Sequence, residues 1–122
     1  MNIDYITNDN VIIFAPEYNK PLSLELNIQS NLKKIIFSDY ALNDGIFEAW
    51  ENDNYKNFKR LYSRFNQPLG NALNNCTSLT HIIFGYAFNQ PLGNSLDNCT
   101  ALTHISFGHY FRQPLTNSLD NC

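Results

Sequence analysis

The chain has 122 residues, of which 43% are hydrophobic and 16% are charged, and its formal net charge at pH 7 is −3. This length and composition exclude an intrinsically disordered chain and favour one folded domain. The mildly negative charge argues against nucleic acid or an anionic membrane as the partner, because both attract strongly basic surfaces.

The beginning of the chain carries no targeting signal. No stretch approaches the roughly 20 consecutive apolar residues that a membrane-spanning helix requires. The first residues, Met1 to Asp9, lack the basic flank and the apolar run of a signal peptide. We therefore expect a cytoplasmic location. Residues 1–10 are predicted to form an N-terminal cap through Ile3, Tyr5 and Ile6.

Residues 11–40 are predicted to hold the first two copies of a repeat. The segment Tyr18-Asn-Lys-Pro-Leu aligns with Phe65-Asn-Gln-Pro-Leu further along the chain. Asn31-Leu-Lys-Lys-Ile-Ile-Phe aligns in the same way with Ser78-Leu-Thr-His-Ile-Ile-Phe. The alternation in these segments predicts β-strands at residues 11–14 and 33–37.

Residues 41–64 form an irregular middle segment. The interval between the second and third predicted strands is about twice the repeat length, so we expect a degenerate repeat copy to fill it. Ile46-Phe-Glu-Ala-Trp50 has apolar residues at helical spacing and no proline or glycine, which predicts a helix at 45–50. Phe58-Lys-Arg-Leu61 resembles the start of a repeat strand, which predicts a short irregular strand at 59–62.

Residues 65–122 repeat one pattern of 23 residues two and a half times. The copies begin Phe65-Asn-Gln-Pro-Leu, Phe88-Asn-Gln-Pro-Leu and Phe111-Arg-Gln-Pro-Leu. The two further strands are predicted at 80–84 and 103–107. A fixed period of this length is the signature of a solenoid. Cysteines also recur once per copy and are interpreted as small core thiols rather than metal ligands; they are Cys76, Cys99 and Cys122.

Each copy is predicted to bury one side of its strand. Side chains alternate across a strand, so Ile82 and Phe84 should point inward while His81, Ile83 and Gly85 point outward. Phe88 should be a second inward anchor. The return segment should place four more apolar side chains inward from short turns or 3₁₀ helix, namely Leu92, Leu96, Cys99 and Leu102. One such copy cannot bury its own core, so each copy must cover the next.

The fold class predicted from these patterns is a leucine-rich-repeat-like solenoid with one short parallel strand per 23-residue coil. Leu79, Ile82 and Phe84 have the Leu-x-x-Leu-x-Leu spacing of such repeats. We expect a single solenoid domain over residues 1–122.

The outward side of the predicted sheet is the candidate partner-binding surface. Its central column is expected to be an exposed apolar stripe, and exposed contiguous apolar surface usually marks a contact. The alternative is that strand propensity alone favours isoleucine there. The residues predicted to bind a protein partner are Ile13, Lys34, Ile36, His81, Ile83, Tyr86, His104, Ser106 and His109.

The only candidate for chemistry is a pair of histidines. His81 and His104 should be neighbours in one outward column, where a metal or acid–base site is conceivable. Repeat geometry alone stacks identical residues, however, and no nucleophile–base pair or phosphate-binding loop is present. We therefore expect no enzyme activity, no metal and no cofactor.

The motifs Phe-Asn-Gln-Pro-Leu and Leu-Thr-His-Ile-x-Phe-Gly resemble the FNIP repeats, leucine-rich-repeat relatives found in social amoebae and giant viruses. The resemblance is strong over residues 65–122, fair over 11–37 and broken over 41–64. It implies a solenoid used for protein contacts and, if the protein is viral, a location in the host cytoplasm. Several family members carry an F-box that links them to ubiquitin ligases. We expect no F-box in this chain, because repeat phase begins near Val11, so a substrate-recognition adaptor without its own F-box is an alternative.

A third function is structural. The last copy, around Leu102, Phe107, Phe111 and Leu115, has no obvious polar cap, and solenoid ends without one expose apolar surface. This predicts a self-associating repeat protein, a homo-oligomer through its C-terminal coil.

Overall fold

The computed structural model describes residues 3–122 and shows one small sheet with few helices. Its strands are β1 (Tyr5–Asn8), β2 (Val11–Phe14), β3 (Lys34–Phe37), β4 (His81–Ile83) and β5 (His104–Ser106). The helices are α1 (Leu26–Asn31), α2 (Ile46–Glu51) and a 3₁₀ turn at Tyr55–Asn57. None of the helices within residues 3–122 is long and apolar enough to cross a membrane. Met1 and Asn2 of the predicted cap lie outside the described residues.

The five strands lie side by side in chain order. β1 pairs antiparallel with β2, and the strands from β2 to β5 are parallel. Matching positions of the repeat face each other across all four parallel strands, namely Ile12, Ile35, Ile82 and Ile105. The four strands predicted from the repeat are therefore confirmed, each within one residue at either end.

Two rows of stacked aromatic rings run beneath the sheet, because equivalent residues of successive copies meet. Phe37 stacks on Phe84 with ring centroids 5.7 Å apart, and Phe84 stacks on Phe107 at 5.6 Å. In the second row, Phe65 stacks on Phe88 at 5.8 Å. The side chains of Phe84 and Phe88 are only 3% and 0% exposed. The inward direction predicted for both residues is confirmed.

An Asn-Gln pair follows each phenylalanine of the second aromatic row, and it links one copy of the repeat to the next. Asn66 Oδ1 accepts the backbone N–H of Asn89 at 2.8 Å, and Gln90 Nε2 donates to the same oxygen at 3.1 Å. Asn19 and Asn89 make the equivalent bonds to the copies that follow them. The asparagine side-chain oxygen thus accepts a backbone N–H that lies outside the strands and has no partner in the sheet. This explains why the repeat carries asparagine at this position.

The return segment of each later copy consists of successive tight turns. Ser95, Cys99 and Leu102 each donate a backbone hydrogen bond to the residue three positions earlier. All four predicted inward side chains are buried, at 0–3% exposure. The first copy differs, because α1 occupies the same place; its Gln29 is buried and donates to the Leu24 carbonyl at 2.7 Å.

The middle segment does not add a strand to the sheet. β3 pairs directly with β4, and residues 40–62, called here the insertion, leave the repeat and return to it. Asp39 closes the base of the insertion, since its Oδ1 accepts the N–H groups of Ser63 at 2.7 Å and Tyr86 at 2.9 Å. The predicted degenerate copy is wrong. At the predicted strand 59–62 there is only an isolated antiparallel bridge between Tyr40 and Arg60.

The predicted helix in the middle segment is confirmed as α2, and it packs on the outward side of the sheet. Ile46 of α2 forms a small second core with Ile13 and Ile36. Half-buried apolar residues pack around them, among them Phe47 and Trp50. Helical spacing puts these side chains on one face of α2, which is why so short a helix can cover two strands.

Two glycines allow neighbouring turns to touch. A Cβ placed on Gly108 would overlap the backbone carbonyl of Gly85. A Cβ on Gly85 would overlap the Ser63 side chain and lie 2.8 Å from the Phe37 carbonyl oxygen. The glycine that follows the strand in each later copy is therefore required by close backbone approach.

Candidate partner-binding surface

The insertion changes the surface that the sequence predicts. Ile13 and Ile36 have exposed fractions of 0% and 2%, because α2 and the residues around it cover β2 and β3. The expectation that both isoleucines belong to an exposed stripe is wrong. The apolar side chains of the insertion pack against Ile13 and Ile36 of the same chain.

The outward side of β4 and β5 stays open. Its residues lie in two columns that cross the strands, with His81 opposite His104 and Ile83 opposite Ser106. His81 and Ile83 are half-buried, while His104 and Ser106 are exposed. Lys34 precedes His81 in the first column and is also half-buried.

The two histidine rings stack in parallel. Their centroids are 4.3 Å apart with an interplanar angle of 3°. The hydroxyls of Thr80 and Thr103 lie 2.7 and 2.8 Å from the Nδ1 atoms of His81 and His104, which fixes the orientation of both rings. Burial, together with the neighbouring His104 and Lys34, lowers the pKa of His81 below its ordinary value. Within residues 3–122, no group of three or more His, Cys, Asp or Glu side chains is placed to hold a metal ion.

A cluster of aromatic side chains lies at the turns beside the open strands; we call it the turn cluster. Tyr86 is at its centre, with Tyr62 at 4.6 Å, Tyr110 at 5.1 Å and His109 at 5.2 Å between ring centroids. Tyr62 and Tyr110 are 44% and 46% exposed. The Arg60 guanidinium lies 4.8 Å from the centre of the Tyr62 ring, within the range of a cation–π contact. The cluster therefore combines exposed rings with a cation.

Two phenols of the turn cluster are close neighbours, with the ring centroids of Tyr86 and Tyr110 5.1 Å apart. Interaction with the Tyr110 hydroxyl, followed by burial, raises the pKa of Tyr86. Tyrosine and arginine are among the residue types most enriched at the energetic centres of protein interfaces.

The amino-acid sequence predicts some residues of this surface but not all of them. Tyr86 and His109 were predicted from their positions after the strands. Tyr110 follows His109 directly, and its place in the repeat was the available signal. Arg60 and Tyr62 belong to the irregular segment, and no repeat position marks them.

The cysteine column is a core feature at two of its three positions. Cys76 and Cys99 are fully buried, and burial raises the pKa of their thiols to about 11 and about 12. Cys99 Sγ also lies 3.7 Å from the Leu73 carbonyl oxygen. Cys122 is exposed. The core interpretation is confirmed for Cys76 and Cys99 and is wrong for Cys122.

This difference predicts selective labelling of the thiols. In the native protein we expect an aromatic disulfide reagent to modify Cys122 quickly, and Cys76 and Cys99 only as fast as the core opens. Absorbance of the released thiolate should correspond to one thiol per chain, and to three after denaturation in guanidinium chloride. Rapid release of three equivalents from the native protein would contradict the burial of the column.

The last copy is less covered than the inner ones. Leu102 is buried, Phe107 and Phe111 are half-buried and Leu115 is 37% exposed, whereas Phe84 and Phe88 in the preceding copy are fully buried. Self-association through this copy stays a prediction.

In comparisons with known proteins, no protein-family model, no curated protein and no solved structure matches the chain.

Proposed function

We propose that this chain is a non-catalytic protein-interaction module that binds its partner through the open face. The open face consists of the outward side chains of β4 and β5 and the turn cluster, namely His81, Ile83, His104, Ser106, Arg60, Tyr62, Tyr86, His109 and Tyr110. The observation that carries the proposal is the contrast between the two halves of one sheet. The insertion buries the outward side of β2 and β3, and it leaves β4 and β5 beside an exposed Tyr–Arg cluster.

The composition of the open face supports a protein partner. Exposed aromatic rings offer a large contact area at little cost in conformational entropy, since each has only two side-chain torsions. The neighbouring arginine and the histidine nitrogens supply hydrogen bonds that orient the contact. The formal net charge of −3 gives no comparable support to nucleic acid.

We propose further that the parallel strands, the aromatic rows and the asparagine links are those of a leucine-rich-repeat-like solenoid of the FNIP type. The supporting observations are the 23-residue spacing, the matched register of β2 to β5 and the repeated Asn–Gln bonds. Repeat units of this kind stabilise one another and present one side as a binding surface. Such a module would suit the role of substrate adaptor for a ubiquitin ligase in the cytoplasm.

The proposal is tested by removing exposed rings that the fold does not need. We expect Tyr110→Ala to retain the melting temperature within a few degrees, because its side chain is 46% exposed, and to lose at least tenfold in partner affinity, as interface tyrosines do. Tyr5→Ala is the matched control, since Tyr5 is also exposed, at 40%, but lies on β1 at the opposite edge of the sheet.

The measurement is quantitative capture of proteins from a cell extract by the immobilised wild-type chain and both variants, followed by titration of the captured partner. Retention of the same proteins with equal affinity by Tyr110→Ala, or their loss with Tyr5→Ala alone, would overturn the assignment of the surface.

A further inference from the structure

The Arg60 side chain contacts two aromatic rings but pairs with no carboxylate of the part of the chain that the structure describes. Its backbone forms the isolated bridge to Tyr40, and its guanidinium lies 5.7 Å from the centre of the Tyr40 ring and 4.8 Å from that of Tyr62. Among residues 3–122, the one ion pair joins Lys20 to Asp4. Two rings therefore position an exposed cation whose charge no acid of these residues neutralises.

Asp39 holds the backbone that carries this cation. Its main-chain carbonyl oxygen accepts the N–H groups of Leu61 at 2.8 Å and Tyr62 at 3.0 Å, and its Oδ1 accepts those of Ser63 and Tyr86. These bonds keep Tyr62 at a φ of 57°, in the left-handed region that bulky residues rarely adopt. Such conformations persist where surrounding contacts impose them, and they concentrate at binding sites. Here the conformation presents an exposed tyrosine ring to the turn cluster.

The acid nearest to the turn cluster does not offset the charge of Arg60. The Asp39 carboxylate is hydrogen-bonded to two backbone N–H groups. The Tyr110 hydroxyl and burial raise the pKa of Tyr86, the Arg60 charge acts in the opposite direction, and no carboxylate of residues 3–122 acts on this phenol. The turn cluster therefore keeps an unbalanced positive charge.

The open face as a whole contains no acid. The chain has 11 acidic and 8 basic residues, yet the open face includes Arg60 and all three histidines, and neither Asp nor Glu. Charges more than about 8 Å apart are largely screened at physiological ionic strength. The local composition, rather than the net charge of the chain, therefore sets the preference of this face, and an acidic group on the partner complements it.

We propose that the turn cluster binds an acidic side chain of the partner protein, with the carboxylate paired to the Arg60 guanidinium and an adjacent apolar residue packed on the exposed rings of Tyr62 and Tyr110. A planar guanidinium binds a carboxylate through two parallel hydrogen bonds, and the rings supply apolar contact area beside it. The inference rests on the proposed function, because the turn cluster is part of the open face. It adds the chemistry of the partner: an exposed glutamate or aspartate next to a leucine-like residue.

The experiment uses the full chain and the acetylated, amidated peptide Gly-Leu-Glu-Glu-Leu-Gly, observed by NMR. We expect shifts of the Arg60 Nε–H signal and of the ring signals of Tyr62 and Tyr110 during the titration. The same peptide with glutamine in place of both glutamates should bind about tenfold more weakly. Arg60→Met should lose about as much affinity, and it should keep the wild-type melting temperature because Arg60 is exposed. Arg64→Met is the matched control, since Arg64 is an exposed arginine outside the turn cluster, and it should leave the affinity unchanged.

Four results would overturn the inference. Equal affinity for the glutamine peptide would show that the carboxylate is not recognised, and this comparison leaves the protein itself unchanged. Equal losses from Arg60→Met and Arg64→Met would show general charge attraction instead of a contact at Arg60. Tighter binding of single-stranded oligothymidylate at the same signals would show that the cluster recognises nucleic acid. Absence of any shift with the glutamate peptide would show that the cluster binds no acidic side chain. In each case, loss of captured proteins from Tyr110→Ala would still support the open face, so the two proposals fail separately.

Discussion

Replacement of Phe84 by alanine is expected to lower the free energy of unfolding by about 3–5 kcal/mol, the usual cost of removing a buried phenylalanine. The ring is 3% exposed and stacks on Phe37, Phe88 and Phe107. Its loss leaves a cavity that joins three copies of the repeat. Because each copy is stabilised mainly by its neighbours, we expect the whole sheet to unfold at a lower denaturant concentration in one transition.

The matched control is Phe107→Ala, which changes the equivalent residue of the last copy. Phe107 is only half-buried and has a neighbouring copy on one side only, so its replacement should cost clearly less. Urea unfolding followed by circular dichroism measures both variants. An unchanged midpoint for Phe84→Ala, or an equal loss for the two variants, would contradict the stacked arrangement.

Ile36→Asp is expected to have the second large effect. Removal of a buried isoleucine alone costs about 2–5 kcal/mol, and the new carboxyl group would be buried without a hydrogen-bond partner, which adds to the cost. Typical domains are stable by only about 5–15 kcal/mol. We therefore expect Ile36→Asp to be largely unfolded or insoluble at 25 °C.

Ser106→Asp is the control for that substitution, because Ser106 occupies the same outward column on β5 and is exposed. It should fold with wild-type stability. Thermal unfolding and solubility distinguish the two variants. A folded, soluble Ile36→Asp protein would mean that α2 does not cover β3, and the buried half of the sheet would return to the candidate surface.

The repeat made much of the fold predictable. The strands β2 to β5 follow from the recurrence of Ile-Ile-Phe and related triplets at one repeat length, or at about two repeat lengths between β3 and β4. The inward direction of Ile82, Phe84 and Phe88 follows from strand alternation and from the need to bury large apolar side chains. The asparagine links could not be predicted from propensity, since they require two copies to be already in register.

The course of the middle segment could not be predicted for a different reason. The distance between β3 and β4 in the chain is close to two repeat lengths, so an insertion and a degenerate copy look alike in the sequence. What distinguishes them is the Asp39 carboxylate, which holds Ser63 and Tyr86 and closes the base of the insertion. The position of α2 then depends on long-range contacts of Ile46 with Ile13 and Ile36, and local pattern does not specify these.

The candidate surface was affected by the same ambiguity. Strand alternation predicts that Ile13 and Ile36 are exposed only if no other element packs on the outward side of the sheet. Arg60 and Tyr62 join the turn cluster because the insertion returns beside Tyr86. Both changes follow from one tertiary feature, and the remaining predicted residues on β4 and β5 keep their outward positions.

The pairing of β3 with β4 is the feature on which the sheet, the insertion and the open face all depend. Interstrand NMR contacts test it directly. We predict nuclear Overhauser effects between the backbone protons of Ile35 and Ile82, and between the side chains of Ile36 and Phe47. Contacts from Ile35 to residues 59–62 in place of Ile82 would show a further strand between β3 and β4 and would contradict the account.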